Sequence, residues 1–162
     1  MNEPQPLPLW FLPLFPVIFI GFWMFILGLL AELGGWRELG RLYPEPRGAR
    51  RQAIRSFGMT SVDLRRGWFP LPVNYGNVVA VVVGAAGLHL RVWKLFAFRH
   101  PPLLIPWTQM ERIEAGQMLF WRTLTLTPRG TQTRIRLYGA PAKATEELVR
   151  QLAGQPAALA RV

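Results

Sequence analysis

Few side chains in this sequence are suited to bond-making chemistry. His89 and His100 are its only imidazoles, and it has no Cys, which excludes thiolate nucleophiles, Cys-based metal sites and disulfides. Against 19 basic residues stand only 9 acidic ones. Asp63, Glu111 and Glu114 are the acids at the heart of the part expected to fold as a domain. Glu111 and Glu114, three apart, fall on opposite faces of a strand and make no carboxylate pair. His89 alternates with Leu88 and Leu90 and has Arg91 and Lys94 nearby rather than a carboxylate. A nucleophile, base and orienting acid within mutual reach are therefore not indicated, nor is a phosphate-cradling Gly motif. The residues predict no enzyme, no metal and no cofactor.

What the composition favours is binding. All but two of the basic residues are Arg, and such an excess suits anionic lipid headgroups, nucleic acid or an acidic protein face. The densest mixture of Arg and aromatic residues is Arg91 to Trp107. There Arg91, Lys94, Arg99 and His100 interleave with Trp93, Leu95, Phe96, Phe98, Leu103, Leu104, Ile105 and Trp107. Apolar residues on both faces of a strand imply that both are covered, by a core and by a partner protein or the bilayer interface. Arg134, Arg136 and Arg122 form a second basic patch. Tyr138 shares its face and Trp121 does not, so the stacking platform a nucleic acid needs is missing and none is expected as a partner.

These residues must be positioned by a membrane segment and one domain. From Leu7 to Ala31 no residue is charged, long enough to cross a hydrocarbon core of about 30 Å. A cleaved signal peptide is not expected, because no basic start, short core or small-residue cleavage site is present. Proline tolerance in a first helical turn starts the regular helix near Pro13 or Pro16, running to about Gly34. Arg37, Arg41, Arg47, Arg50, Arg51 and Arg55 follow the span and no basic residue precedes it. The chain is thus expected to be a single-pass membrane protein, N-terminus outside and C-terminal domain cytoplasmic. Gly21, Gly28, Ala31 and Gly35 share one helical face, a seam on which another helix can dock, while Phe15, Phe19, Phe22 and Ile26 lie opposite. Trp23 is too deep to be an interfacial anchor.

The expected organisation is a non-cytoplasmic segment 1–12, a transmembrane helix 13–35, a basic juxtamembrane connector 36–56, a β domain 57–154 and a tail 155–162. Within the domain, Asn77 to Leu88 reads as a buried strand broken near Gly84 to Gly87. Gly87 to Phe98 and Leu103 to Trp107 read as two strands joined across Pro101-Pro102. Phe120 to Thr127 and Thr133 to Tyr138 alternate around a Pro128-Arg129-Gly130 turn, a hairpin signal. Pro141 to Gly154 reads as a helix with Ala144, Leu148, Val149 and Leu152 on one face. The fold class is one transmembrane helix plus an α+β, mainly-β domain: a small barrel or sandwich closed by a C-terminal helix.

The stretch GLHLRVWKLFAFRHPPLLIPWTQMERIE, Gly87 to Glu114, with GWRELGRLYP, Gly35 to Pro44, directly after the span, resembles uncharacterised bacterial single-span inner-membrane proteins with a pleckstrin-homology-like (PH-like) domain. That resemblance implies a PH-like fold and a membrane address but no activity. The expected function is a non-enzymatic, membrane-anchored binding or scaffold protein. It would be an accessory or stabilising subunit of a larger inner-membrane complex, such as a respiratory or photosynthetic one. Its contacts with partner or headgroup would come from Arg37, Arg41, Arg50, Arg51, Arg91, Trp93, Lys94, Phe96 and Arg99. The alternatives are a module that reads anionic lipid at the membrane surface and a homo-oligomer through the Gly21/Gly28 seam.

Overall fold

The computed structural model describes residues 11–46 and 53–154. Helix α1, Phe11–Leu33, is followed by α2, Trp36–Leu42, then strands β1 Ala53–Arg65, β2 Val73–Gly84, β3 Gly87–Val92, β4 Leu103–Pro106, β5 Met110–Met118, β6 Trp121–Pro128 and β7 Arg134–Tyr138. Helix α3, Gly139–Ala153, closes the order. All seven strands form one antiparallel sheet, ordered β4-β3-β2-β1-β7-β6-β5. β1 lies at its centre. It pairs with β2 along most of its length but with β7 only from Val62 to Arg65, and register shifts near Met59 and Ser61 bend it between the two halves. Met59 takes a left-handed φ of 50° at that bend. Bulges of this kind increase twist, and the sheet curls into a half-barrel.

α1 is long and apolar enough to cross a membrane, from Pro13 to Leu33. It starts before either expected proline: Pro13 falls in its first turn and Pro16 lies within it. Every residue from Pro13 to Phe22 is exposed, whereas Leu27, Gly28 and Ala31 are buried against the domain.

The largest departure from the sequence reading is the stretch expected to be a connector, 36–56. Trp36, Leu39 and Tyr43 are part of the hydrophobic core, and β1 begins at Ala53, inside that stretch. The Tyr43 carbonyl accepts from Leu104 N (3.1 Å), and Pro44 bridges to Leu103 on edge strand β4. The Tyr43 hydroxyl donates to Arg129 O (2.5 Å), in the β6–β7 turn. This short segment thus ties distant parts of the curled sheet together. Charge dominates its composition, but its three large apolar residues, spaced three and four apart, form one helical face, and that face decides its place.

Gly35 separates the two helices with a φ of 79°, and a Cβ there would collide with the buried Thr133 side chain. Gly35→Ala combines backbone strain with that clash and is expected to lower unfolding free energy by about 1–3 kcal/mol. Denaturant titration of the detergent-solubilised chain measures it. An unchanged midpoint would mean that the α1–α2 corner is not held. Gly87 has a different reason: any Cβ would strike the backbone at Ile105 and Pro106, where β3 and β4 run close together.

The expected hairpin is present as β6–β7, with Leu124 opposite Leu137 and Leu126 opposite Ile135 facing the core. The expected C-terminal helix is α3. Its Ala144 is buried, and Leu148, Val149 and Leu152 pack on the core from partly buried positions. β3 stops at Val92 instead of running to Phe98. Residues 93–102 leave the sheet through a single 3-10 turn, Lys94–Phe96.

Candidate functional site

The lower half of α1 is built into the domain through a set of specific contacts. Trp23 packs its ring on Phe96, with centroids 5.4 Å apart. Trp23, read from the sequence as too deep for an interfacial anchor, thus has an intramolecular role. Tyr75 on β2 places its hydroxyl 3.1 Å from Leu30 O and 3.1 Å from His100 Nε2, while His100 Nδ1 donates to Phe98 O (2.7 Å). Trp36 stacks edge-on against His100, and its Nε1–H donates to Pro101 O (2.8 Å). Arg66, between β1 and β2, donates to Glu32 O (3.1 Å) near the end of α1 and pairs with Glu38 of α2 (3.1 Å). A cation at a helix C-terminus satisfies an otherwise unpaired carbonyl and complements the helix dipole.

Burial holds the His100 imidazole below its ordinary pKa of 6.5, with the Phe98 carbonyl partly opposing the shift, and burial pushes the Tyr75 phenol well up. The folded state therefore favours neutral His100. Because its folded pKa lies below the unfolded value, the unfolded chain binds more protons between the two. The stability this group contributes is complete above the unfolded pKa and is lost as pH falls from about 6.5 towards the folded pKa. The unfolding midpoint of the wild-type chain is expected to fall over that range more steeply than that of His100→Asn, and parallel pH profiles would refute this assignment.

The seam residues Gly28, Ala31 and Gly35 face this chain's own domain. Ala31 is fully buried, Gly35 abuts Thr133, and a Cβ on Gly28 would lie 3.4 Å from Arg99 Cδ and 3.9 Å from Phe98 Cε1. Among the described residues, Gly21 alone of the four has nothing within 4 Å of its Cβ position. The small-residue face is therefore used chiefly for intramolecular packing.

Beside it runs a groove of about 570 Å³, with Gly21, Met24, Phe25 and Leu29 along its length and Glu32, Arg37 and Arg99 towards one end. Arg37 is half-buried and bonded to Glu32 (2.7 Å). Arg99 lies over the Phe98 ring, 5.8 Å from its centroid, with a left-handed φ of 59°. Among the described residues no carboxylate lies within ion-pairing distance of it. Trp93, Leu95 and Phe98 are exposed, and Phe96 is half-buried between Trp23 and Trp93. Lys94 and Arg41 are exposed and outside the groove lining. Arg50 and Arg51 lie outside the described residues.

No family model and no curated protein matches this chain.

Arg91 belongs to a separate cluster. Glu45 places one oxygen 2.9 Å from His89 Nδ1 and the other 2.9 Å from Arg91, with both Glu45 and His89 side chains buried. This corrects the expectation that His89 has no carboxylate neighbour: its partner comes from the segment read as a basic connector. The basic patch also needs correction. Arg122 shares strand parity with core-facing Leu124 and pairs with Glu146 on α3 (3.4 Å), away from Arg134 and Arg136. Trp121 lies on the same face as Tyr138, and the two line one hollow with Met59, Ser61 and Asn77.

Sequence reasoning missed the tip of the β5–β6 hairpin. Met118, Leu119, Phe120 and Trp121 are 45, 77, 87 and 63% exposed. Four consecutive large apolar residues at a hairpin turn, where polar residues are the rule, were the available signal. The tip is at the end of the sheet towards which β2 climbs alongside α1, since Val73 lies by Gly34, Tyr75 by Leu30, and Val78 with Leu27. Asn77, next to Val78, lines the hollow that holds Trp121.

Proposed function

We propose that this chain is a non-enzymatic docking protein of a bacterial inner membrane, anchored by α1, with a PH-like domain on the cytoplasmic side. It serves as an accessory or stabilising subunit of a larger membrane assembly, of which respiratory and photosynthetic complexes are examples. The strand order β4-β3-β2-β1-β7-β6-β5 followed by a closing helix supports the PH-like description. Only 17% of the most apolar window of α1 is buried, which suits a helix in lipid better than a core helix. The run of basic residues after α1 supports a cytoplasmic domain.

The observation that carries the docking reading is the hairpin tip Met118–Trp121 beside a helix fused to its domain. An exposed contiguous apolar surface of this kind marks an interaction site. A mere tether would leave the domain free to swing, whereas Trp23, Tyr75, Trp36 and Arg66 hold it against α1, so the tip is presented at a fixed place relative to the bilayer. Purification of the tagged chain from membranes in a gentle detergent is expected to bring a partner subunit that survives high salt, because apolar docking is not screened. Leu119→Asp with Phe120→Asp is expected to abolish that association while leaving unfolding free energy within about 0.5 kcal/mol. Migration as a lone chain at every salt concentration would overturn the subunit reading. Anionic lipid is the second occupant with a specific observation in its favour, the cationic end of the groove beside α1.

A further inference from the structure

The part of α1 shown clear of the domain, Pro13–Phe22, is about 15 Å long at 1.5 Å per residue. A hydrocarbon core is about 30 Å thick. If part of the helix that the domain sheathes lies within lipid, the domain's rim there must tolerate it. The rim is suited to this: Trp93, Leu95 and Phe98 are exposed beside α1, and Phe96 packs on Trp23.

The groove at this rim has an internal polarity order. Starting from its charged end it passes Glu32 and Arg37, then Gly28 with Arg99 and Phe98, then Phe25 and Met24, then Gly21. From Gly28 to Gly21 the helix rises roughly 10 Å, within the hydrocarbon depth of one leaflet. Charge first and apolar surface after is the order of a phospholipid whose headgroup faces the domain side. The charges agree as well. Arg37 is matched by Glu32 (2.7 Å), while Arg99 has no carboxylate partner among the described residues, leaving the groove one net positive charge. A phosphodiester carries one negative charge, and a guanidinium donates to its oxygens in a fork. Arg99 is exposed and so open to such an anion.

We propose that this groove holds one anionic phospholipid of the domain-side leaflet, its phosphate on Arg99 with Arg37 beside it, and an acyl chain along Gly28, Phe25 and Gly21. The phosphate plane then lies near Gly28 and Leu29. Compared with the span Pro13–Leu33, the membrane frame moves about one turn towards the N-terminus. Inorganic phosphate is the competing source of the same chemistry, but it makes no use of the apolar walls.

The proposal rests on α1 being in the membrane, and carbonate extraction tests that separately: a chain that washes off has failed the anchor reading before the groove is tested. For a chain that stays, the full-length protein is purified in detergent, washed and analysed by native mass spectrometry after exposure to phosphatidylglycerol, phosphatidylcholine or inorganic phosphate. Wild type is expected to retain about one phosphatidylglycerol per chain. Arg99→Gln is expected to bind it about tenfold or more weakly, the loss of one charge-assisted contact, and Arg99→Lys to recover part of the binding. Arg112→Gln, which removes an exposed charge on β5, is the control and should bind as wild type. Equal retention by wild type and Arg99→Gln overturns the site, as does equal binding of phosphatidylcholine, or displacement of the lipid by inorganic phosphate. Should Arg99→Gln not fold, Gly28→Leu, which fills the groove and leaves both arginines, must lose the lipid.

Discussion

Trp36→Ala is expected to reduce unfolding free energy by about 3–5 kcal/mol, the usual cost of emptying a large buried aromatic site. Trp36 is fully buried, touches Tyr75 and His100 with ring centroids 5.2 and 5.4 Å away, and donates to Pro101 O. Its loss opens a cavity where α1, α2 and the 93–102 loop converge and leaves the Pro101 carbonyl without that donor. Trp36→Phe keeps most of the packing and removes the hydrogen bond, so it should cost less. Chemical denaturation in detergent distinguishes the two. A Trp36→Ala variant within about 1 kcal/mol of wild type would return residues 36–46 to the status of a linker.

Glu45→Ala is the second large effect, with an expected loss of about 2–3 kcal/mol. Among the described residues His89 Nε2 already lacks a partner, and removing the carboxylate leaves Nδ1 bare as well in a buried site. Arg91 contributes little to this figure, because it is 47% exposed and can return to water. Glu45→Gln keeps an oxygen that can accept from His89 and should recover more than half of the loss. If Gln and Ala cost the same, the His89 hydrogen bond is not what Glu45 supplies, and the packing of Pro44–Glu45 along β4 would have to account for the effect.

Much of the architecture was legible because it rests on local pattern. The uncharged run, the alternation of β6 and β7 around Pro128–Gly130, and the amphipathic face of α3 each record a period of the backbone against a single apolar surface. Patterns fail where one segment serves two surroundings. Trp36-Arg37-Glu38-Leu39 places Trp36 and Leu39 in the core while Arg37 and Glu38 pair at the edge, and its charge concealed its burial. Strand β1 was unassigned because its exposed first half, Ala53–Gly58, has no clean alternation and its register against β2 shifts three times. Residues 93–98 look like strand by composition, yet the chain leaves the sheet there to meet Trp23.

The candidate site divides along the same line. Sequence alone identified Gly28, Phe96, Arg37 and Arg99 as residues of interest, and it indicated binding rather than chemistry from the scarcity of imidazoles, thiols and acids. It determined the apolar α1, the β-rich domain and the closing helix, because each follows from the local spacing of apolar and polar residues. Only the tertiary structure decided that the small face of α1 is covered by its own domain, that Glu45 reaches His89, and that Arg99 lies along Gly28 without a carboxylate partner among the described residues. Those are contacts between residues tens of positions apart, which arise from the curl of the sheet and the corner at Gly35, and no local period records them.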